Sequence, residues 1–246
     1  MKIPLKIDPC PITEAVMEVR FDSKYDGGAV FGIIYKYLVE NDEYEDPIEL
    51  PSLRLPKEFV DGNEMLKFQP HYRLINKTKK NLMVQIGPKV FSIIITNEYP
   101  GWNEFLVIIK NAIDKLHKSQ VISLVNRMAL RYINFFETNI LEKSNLKFSL
   151  DDTDLSNYPS SLQIDIPKNS FENVLRINNN ATVNRDNTLL TGSIIDIDTF
   201  IQKPMENFFQ EYEDLLIRCH DTEKILFFGL LSQKYFDTLK SIEYVP

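Results

Sequence analysis

Apolar positions along this chain change period, and each change marks an element. In EAVMEVRF, Ala15, Met17, Val19 and Phe21 alternate with Val16, Glu18 and Arg20. That period-two pattern predicts a strand with one face better buried than the other. Gly27 and Gly28 end it, and Val30, Phe31, Ile34, Tyr37 and Leu38 then recur at helical spacing. Residues 42–63, rich in proline and acidic side chains, read mainly as loop. EMLKFQP, HYRLIN, LMVQIG and KVFSIIIT follow as short strands, with NKTKKN as a hairpin connection. Pro-Gly opens YPGWNEFLVIIKNAIDKLHKS, where Trp102, Phe105, Leu106, Ile109, Ile113 and Leu116 form a helical stripe. The long strand VISLVNRMALRYINFFE closes this half.

Strand, helix, several antiparallel strands, helix, strand is an elaborated split βαβ pattern. A polar connection around LDDTDLSNYPSS leads to LQIDIP, NVLRINNN and LLTGSIIDIDTF as strands, with NNNATVNRDN as a polar hairpin turn. Pro204 stands where a helix can start. The run from Met205 to Lys240 reads as one long or two consecutive helices. Strands followed by helices without strict alternation predict an α+β fold, largely antiparallel sheet with packed helices. The expected organisation is one compact domain over residues 1–246, divisible into strand-rich sublobes 1–137 and 138–246.

Composition narrows the function classes. The chain has 246 residues, 43% hydrophobic and 26% charged, an ordinary globular balance that needs no metal or disulfide staple. Its net charge of −7 is the wrong footprint for nonspecific nucleic-acid binding, which calls for clustered Lys and Arg. The short basic cluster Lys77–Lys80 reads as a solvated hairpin tip. Cys10 and Cys219 make no CxxC pair and no zinc framework, as expected of thiols in a reducing cytosol. No leader-type apolar region opens the sequence, and no apolar run reaches the ~18 residues of a membrane span. The expectation is a soluble cytoplasmic protein.

Several phrases together carry a resemblance. PITEAVMEVRF, IGPKVFSIIITNEYPGWNEF, NRMALRYINFFE, IIDIDTF and CHDTEKILFFGLL stand in this order over nearly the whole chain. In order and spacing they resemble a sporadically distributed family of uncharacterised bacterial proteins of about this size. The resemblance implies no activity and no catalytic position. The patchy distribution of that family implies mobile gene cassettes, including phage-defence or toxin–antitoxin type operons.

Candidate chemistry is sparse. His71, His117 and His220 are the three histidines. His117 suits the end of its helix through the macrodipole. His220 lies between Cys219 and Asp221, but neighbours on a helix point about 100° apart, which argues against a triad there. The glycine pair lacks the GxGxxG spacing of a nucleotide loop. Asp151–Asp154 lacks the glycine and terminal glutamate of a calcium loop. Asp196 and Asp198 would share a strand face, as two carboxylates on Mg²⁺ require, and as any solvated strand face also provides. No cofactor is implied.

The sharpest pattern is NRMALRYINFFE. As a strand it puts Met128, Leu130, Tyr132 and Asn134 on one face and Arg127, Ala129, Arg131, Ile133 and Phe135 on the other. Read as i and i+2 on that face, the two arginines lie ~7 Å apart. Glu14, Glu18 and Arg20 share a face of their own strand, so Glu18 could meet Arg127 or Arg131. One reading is a cross-strand ion-pair ladder. The other is an anion site built from Arg20, Arg127, Arg131 and Glu18, bordered by Tyr132 or Tyr99 if the sheet bends. Phe227, Phe228, Leu230 and Leu231 nearly ring the late helix, which then lies in the core or against a partner. Two functions follow as expectations. One is an interaction or sensor module with a protein partner or a second copy. The other is a binder or enzyme for a small phosphorylated or carboxylated ligand.

Overall fold

The computed structural model describes residues 3–185, 188–239 and 241–244. The chain opens with β1 (Pro4–Asp8), β2 (Ile12–Ser23) and α1 (Gly27–Leu38). Next come β3 (Ile48–Glu49), α2 (Lys57–Asp61), β4 (Tyr72–Ile75), β5 (Leu82–Ile86), β6 (Val90–Thr96), α3 (Trp102–Ser119) and β7 (Ile122–Phe136). The later elements are β8 (Ser149–Leu150), β9 (Thr153–Asp154), β10 (Ser160–Asp165), β11 (Glu172–Arg185), β12 (Thr188–Met205), α4 (Phe208–Leu230), α5 (Gln233–Phe236) and β13 (Ser241–Tyr244). The fold is α+β, built on a large antiparallel sheet ordered β10-β11-β12-β7-β2-β6-β5-β4-β3.

The described residues divide into two compact units, each discontinuous in sequence. The first takes in the described residues of Met1–Thr13, Arg131–Thr199 and Ile217–Pro246; the second is Glu14–Leu130 with Phe200–Leu216.

In the second unit the strand order β7-β2-β6-β5, with α1 after β2 and α3 between β6 and β7, is the split βαβ arrangement, extended at its edge by β4 and β3. The register explains its core. Ala15 faces Ile95, which faces Leu82; Met17 faces Ile93, then Val84, then Leu74; Val19 faces Phe91, then Ile86. All of these side chains are buried. Helices α1 and α3 pack together and bury Val30, Ile34 and Leu38, and Phe105, Ile109, Ile113 and Leu116. Gly101, at φ +93°, turns the chain into α3, a conformation that favours glycine. The even-numbered side chains of β2 occupy the opposite, half-exposed face.

In the first unit β10 pairs with β11 so that Leu162 faces Ile177 and Ile164 faces Leu175. Leu175, Ile177, Ile195, Ile197 and Phe136 form a core with Phe227, Phe228, Leu231 and Phe236 from the late helices. Gly192 is needed in β12, because a Cβ there would sit 2.0 Å from the Phe136 carbonyl oxygen. β1 pairs antiparallel with β13.

Several expectations change. EMLKFQP is no strand: Leu66–Phe68 is a 3₁₀ turn. The supposed loop at 42–63 holds β3, a 3₁₀ turn at Pro51–Arg54 and α2. Pro204 starts no helix; it lies near the end of β12, and α4 begins at Phe208. The polar run from Asn178 to Arg185 belongs to β11, while residues 186 and 187 lie outside the described residues. Tertiary hydrogen bonds explain that strand. Buried Asn179 donates to the Ser156 carbonyl and accepts from Ser193 Oγ at 2.7 Å, so a turn-forming side chain is satisfied inside the sheet. Asn180 keeps a turn-like φ of +56°. The late helical run resolves into α4 and α5, with Ser232 capping the second.

Candidate functional site

Each unit carries a polar row across its half-exposed sheet face. In the second unit Glu18 lies opposite Ser92, Ser92 opposite Gln85, and Gln85 opposite Arg73. With its amide oriented to accept, Gln85 takes both Nε and Nη2 of Arg73 at 3.1 Å. At the other end Arg127 Nη1 donates to Glu18 Oε1 at 2.6 Å, and Arg20 Nε donates to the same oxygen at 2.7 Å. The Arg127 guanidinium lies 4.3 Å from the Phe200 ring centroid, and that of Arg20 4.8 Å from Phe68. Arg127 is 5% exposed.

In the first unit the row is Gln163, Arg176, Asp196 and Arg131. Arg131 donates Nε and Nη2 to the two oxygens of Asp196, at 2.8 and 2.7 Å, a bidentate fork. Arg176 Nε donates to Gln163 at 3.0 Å, and its Nη1 reaches Asp196 at 3.4 Å. Here the carboxylate is buried, its side chain 7% exposed, while Arg131 and Arg176 are 41% and 35% exposed.

The five residues of the expected anion site are therefore divided. Glu18, Arg20 and Arg127 meet in the second unit, and Arg131 pairs with Asp196 in the first. Arg127 and Arg131 are not neighbours on their face, because Ala129 stands between them. Tyr132 lies on the other side of β7, 2% exposed, with its ring edge-on to His220 at 6.3 Å. It borders neither row. Asp196 was legible in sequence only as a metal candidate. Its true partners come from β7 and β11, a pairing that no local spacing reveals.

Helix α4 draws two ionisable groups of the first unit largely out of water, Glu223 buried and His220 with 13% of its side chain exposed. Burial, with Lys224 adding repulsion, lowers the His220 pKa to about 3. Burial raises that of Glu223 to about 8, against a smaller opposing pull from Lys224. Both are neutral at pH 7. Cys219 is also buried, and its thiol donates to the Thr199 carbonyl at 3.2 Å. Cys219 and His220 are consecutive in one continuous helix, so they point apart. Among the described residues no group of three His, Cys, Asp or Glu gathers to hold a metal.

Other polar groups of the second unit form ion pairs, ring contacts and hydrogen bonds. Lys77, Lys79 and Lys80 at the β4–β5 turn pair with Asp42, Glu104 and Glu45. His117 stacks on Phe209 at 4.2 Å. Lys89 and Asn126 hold the Asp22 pKa below the usual carboxylate range. A recess of about 410 Å³, lined by Tyr35, Val39, Asp42, Tyr44, Glu45, Asp46 and Lys77, already carries that Lys77–Asp42 pair. Apolar exposure is concentrated elsewhere in this unit. Ile48, Leu55, Phe59 and Met65 are 44%, 39%, 68% and 67% exposed, all within one excursion between α1 and β4.

No protein-family model matches the chain, and no curated protein matches it. No helix among the described residues is long and apolar enough to cross a membrane.

Proposed function

We propose that this chain is a cytoplasmic protein-interaction module whose contact surface is the excursion bearing Leu55, Phe59 and Met65. The exposure of Phe59 and Met65 carries the reading. Large apolar side chains exposed to solvent lose water favourably only when a partner covers them. The arginine rows support it from the other side: their guanidiniums already bind carboxylates, as a structural ladder does. An accessory role in a phage-defence or toxin–antitoxin type operon, implied by the family resemblance, belongs to the same reading. The test is affinity purification from the native host with mass spectrometry of what co-elutes. A stoichiometric protein partner, lost with Phe59→Asp and Met65→Asp while the melting temperature stays within a few degrees, supports it. A partner indifferent to both variants overturns the assigned surface.

One observation favours a second reading, a small phosphorylated or carboxylated ligand held by the first unit's row. Arg131 and Arg176 are partly exposed, and the 3.4 Å approach of Arg176 to Asp196 is loose enough for a competing anion. Inorganic phosphate or a nucleotide should then raise the wild-type melting temperature and leave Arg131→Ala and Arg176→Met unmoved. No shift in wild type removes this reading.

A further inference from the structure

We propose that two copies of this chain associate through β10, strand against strand, about a twofold axis at Gln163. β10 is an edge strand whose one partner in the sheet is β11. The ladder's phase is set by Lys168 and Phe171, which exchange both backbone bonds, and by Ile166 N–H on the Asn173 carbonyl. Bonded pairs recur every second residue. Ser160, Leu162 and Ile164 therefore point their backbone groups at β11, and Ser161, Gln163 and Asp165 point theirs outward. Among the described residues no backbone hydrogen bond reaches those outward groups. Such an edge is a template for another strand.

The sequence of the edge selects its own copy as that strand. In an antiparallel pair centred on Gln163, each Gln163 faces the other, and Ser161 faces Asp165 of the second copy. The one charge thus meets a hydroxyl donor and never its own like. On the opposite side Leu162 faces Ile164, and both are half-buried, with apolar surface left for a neighbouring strand to cover. Pro159 and Pro167 are equidistant from Gln163. In this register the two prolines face each other, and no N–H is set against a residue that cannot complete the exchange. Slipping one repeat either way puts Asp165 against Pro159, or Ser161 against Pro167, and loses bonds. The prolines therefore pin the register and stop the pairing from spreading beyond the strand. The contact is isologous and closes on itself. It is also short, so the dimer is a weak, concentration-dependent one.

Sedimentation equilibrium of the full chain up to about 1 mM tests this. Gln163→Pro removes an outward N–H that β11 does not use, and should leave a folded monomer. Ser161→Asp places like charges opposite each other twice and should weaken the dimer roughly tenfold; Ser161→Lys should tighten it. These opposite signs hold even if the proline variant fails to fold. A wild type that stays monomeric, a dimer indifferent to these changes, or Ser161 variants that shift together would each overturn the proposal. So would a monomer that instead captures an extended peptide along β10. Loss of the Phe59 surface leaves this result untouched, since that surface is a different one.

Discussion

The two arginine rows use one motif with opposite burial. In the second unit the cation is hidden: Arg127 is 5% exposed and lies over Phe200, while its acid Glu18 keeps a side-chain exposure of 21%. In the first unit the anion is hidden: Asp196 is nearly covered, and Arg131 and Arg176 reach the surface. What matters energetically is which charge is left behind in the low-dielectric side of the pair. A charge that keeps water can do without its partner; one that has lost its water cannot.

That contrast predicts a crossed pattern in chemical denaturation. Glu18→Gln leaves the buried Arg127 guanidinium without its 2.6 Å carboxylate and should cost about 3 kcal/mol. Arg131→Met leaves the buried Asp196 with only the longer Arg176 contact and should cost about 2 kcal/mol. The reciprocal changes should be smaller. Asp196→Asn takes the carboxylate charge away from two partly solvated arginines, and Arg127→Met leaves Glu18 with Arg20 at 2.7 Å; each should cost about 1 kcal/mol or less. If Asp196→Asn proved as damaging as Glu18→Gln, burial would not be the deciding variable.

A pH titration sharpens the contrast, because α4 places two largely desolvated groups, Glu223 and His220, in the first unit. Glu223 is raised from 4.5 to about 8, so it binds more protons folded than unfolded, and stability falls as pH rises through that window. His220 is lowered from 6.5 to about 3, so stability falls as pH drops through its window. Between pH 4.5 and 6.5 the two slopes oppose. Stability should be flat there and decline on both sides, losing roughly 2 kcal/mol between pH 6.5 and 8. Glu223→Gln should remove the alkaline limb and leave the acid one. An unchanged alkaline limb would show that Glu223 ionises freely in the folded chain. The smallest effect belongs to the β4–β5 turn, where Lys79→Ala or Lys80→Ala should shift stability by about 0.5 kcal/mol or less. A larger loss would mean those exposed pairs act as a network.

Much of the fold was legible because its signals are local. The alternation of Ala15, Met17, Val19 and Phe21 states which face of β2 is buried, and the stripe from Trp102 to Leu116 states where α3 lies. The errors also have local causes. EMLKFQP alternates without a neighbour to pair with, and asparagines in NNNATVNRDN resemble a turn until Asn179 finds Ser193 and the Ser156 carbonyl. Glu18 and Arg127 were legible as partners by face and charge. Asp196 was not legible as the partner of Arg131, since that depends on which strand lies beside β7.

By itself, then, the sequence determined the periods, the element types and the faces, because these follow from backbone geometry acting over a few residues. Tertiary structure alone decided strand order, which carboxylate each arginine met, and that Glu223 and His220 on α4 would lose most of their water. It also decided that β10 would end a sheet, leaving outward a row of groups whose match to its own copy could not be read before its neighbours were known. Pairing and desolvation are set by what comes alongside, and that information lies outside any local window.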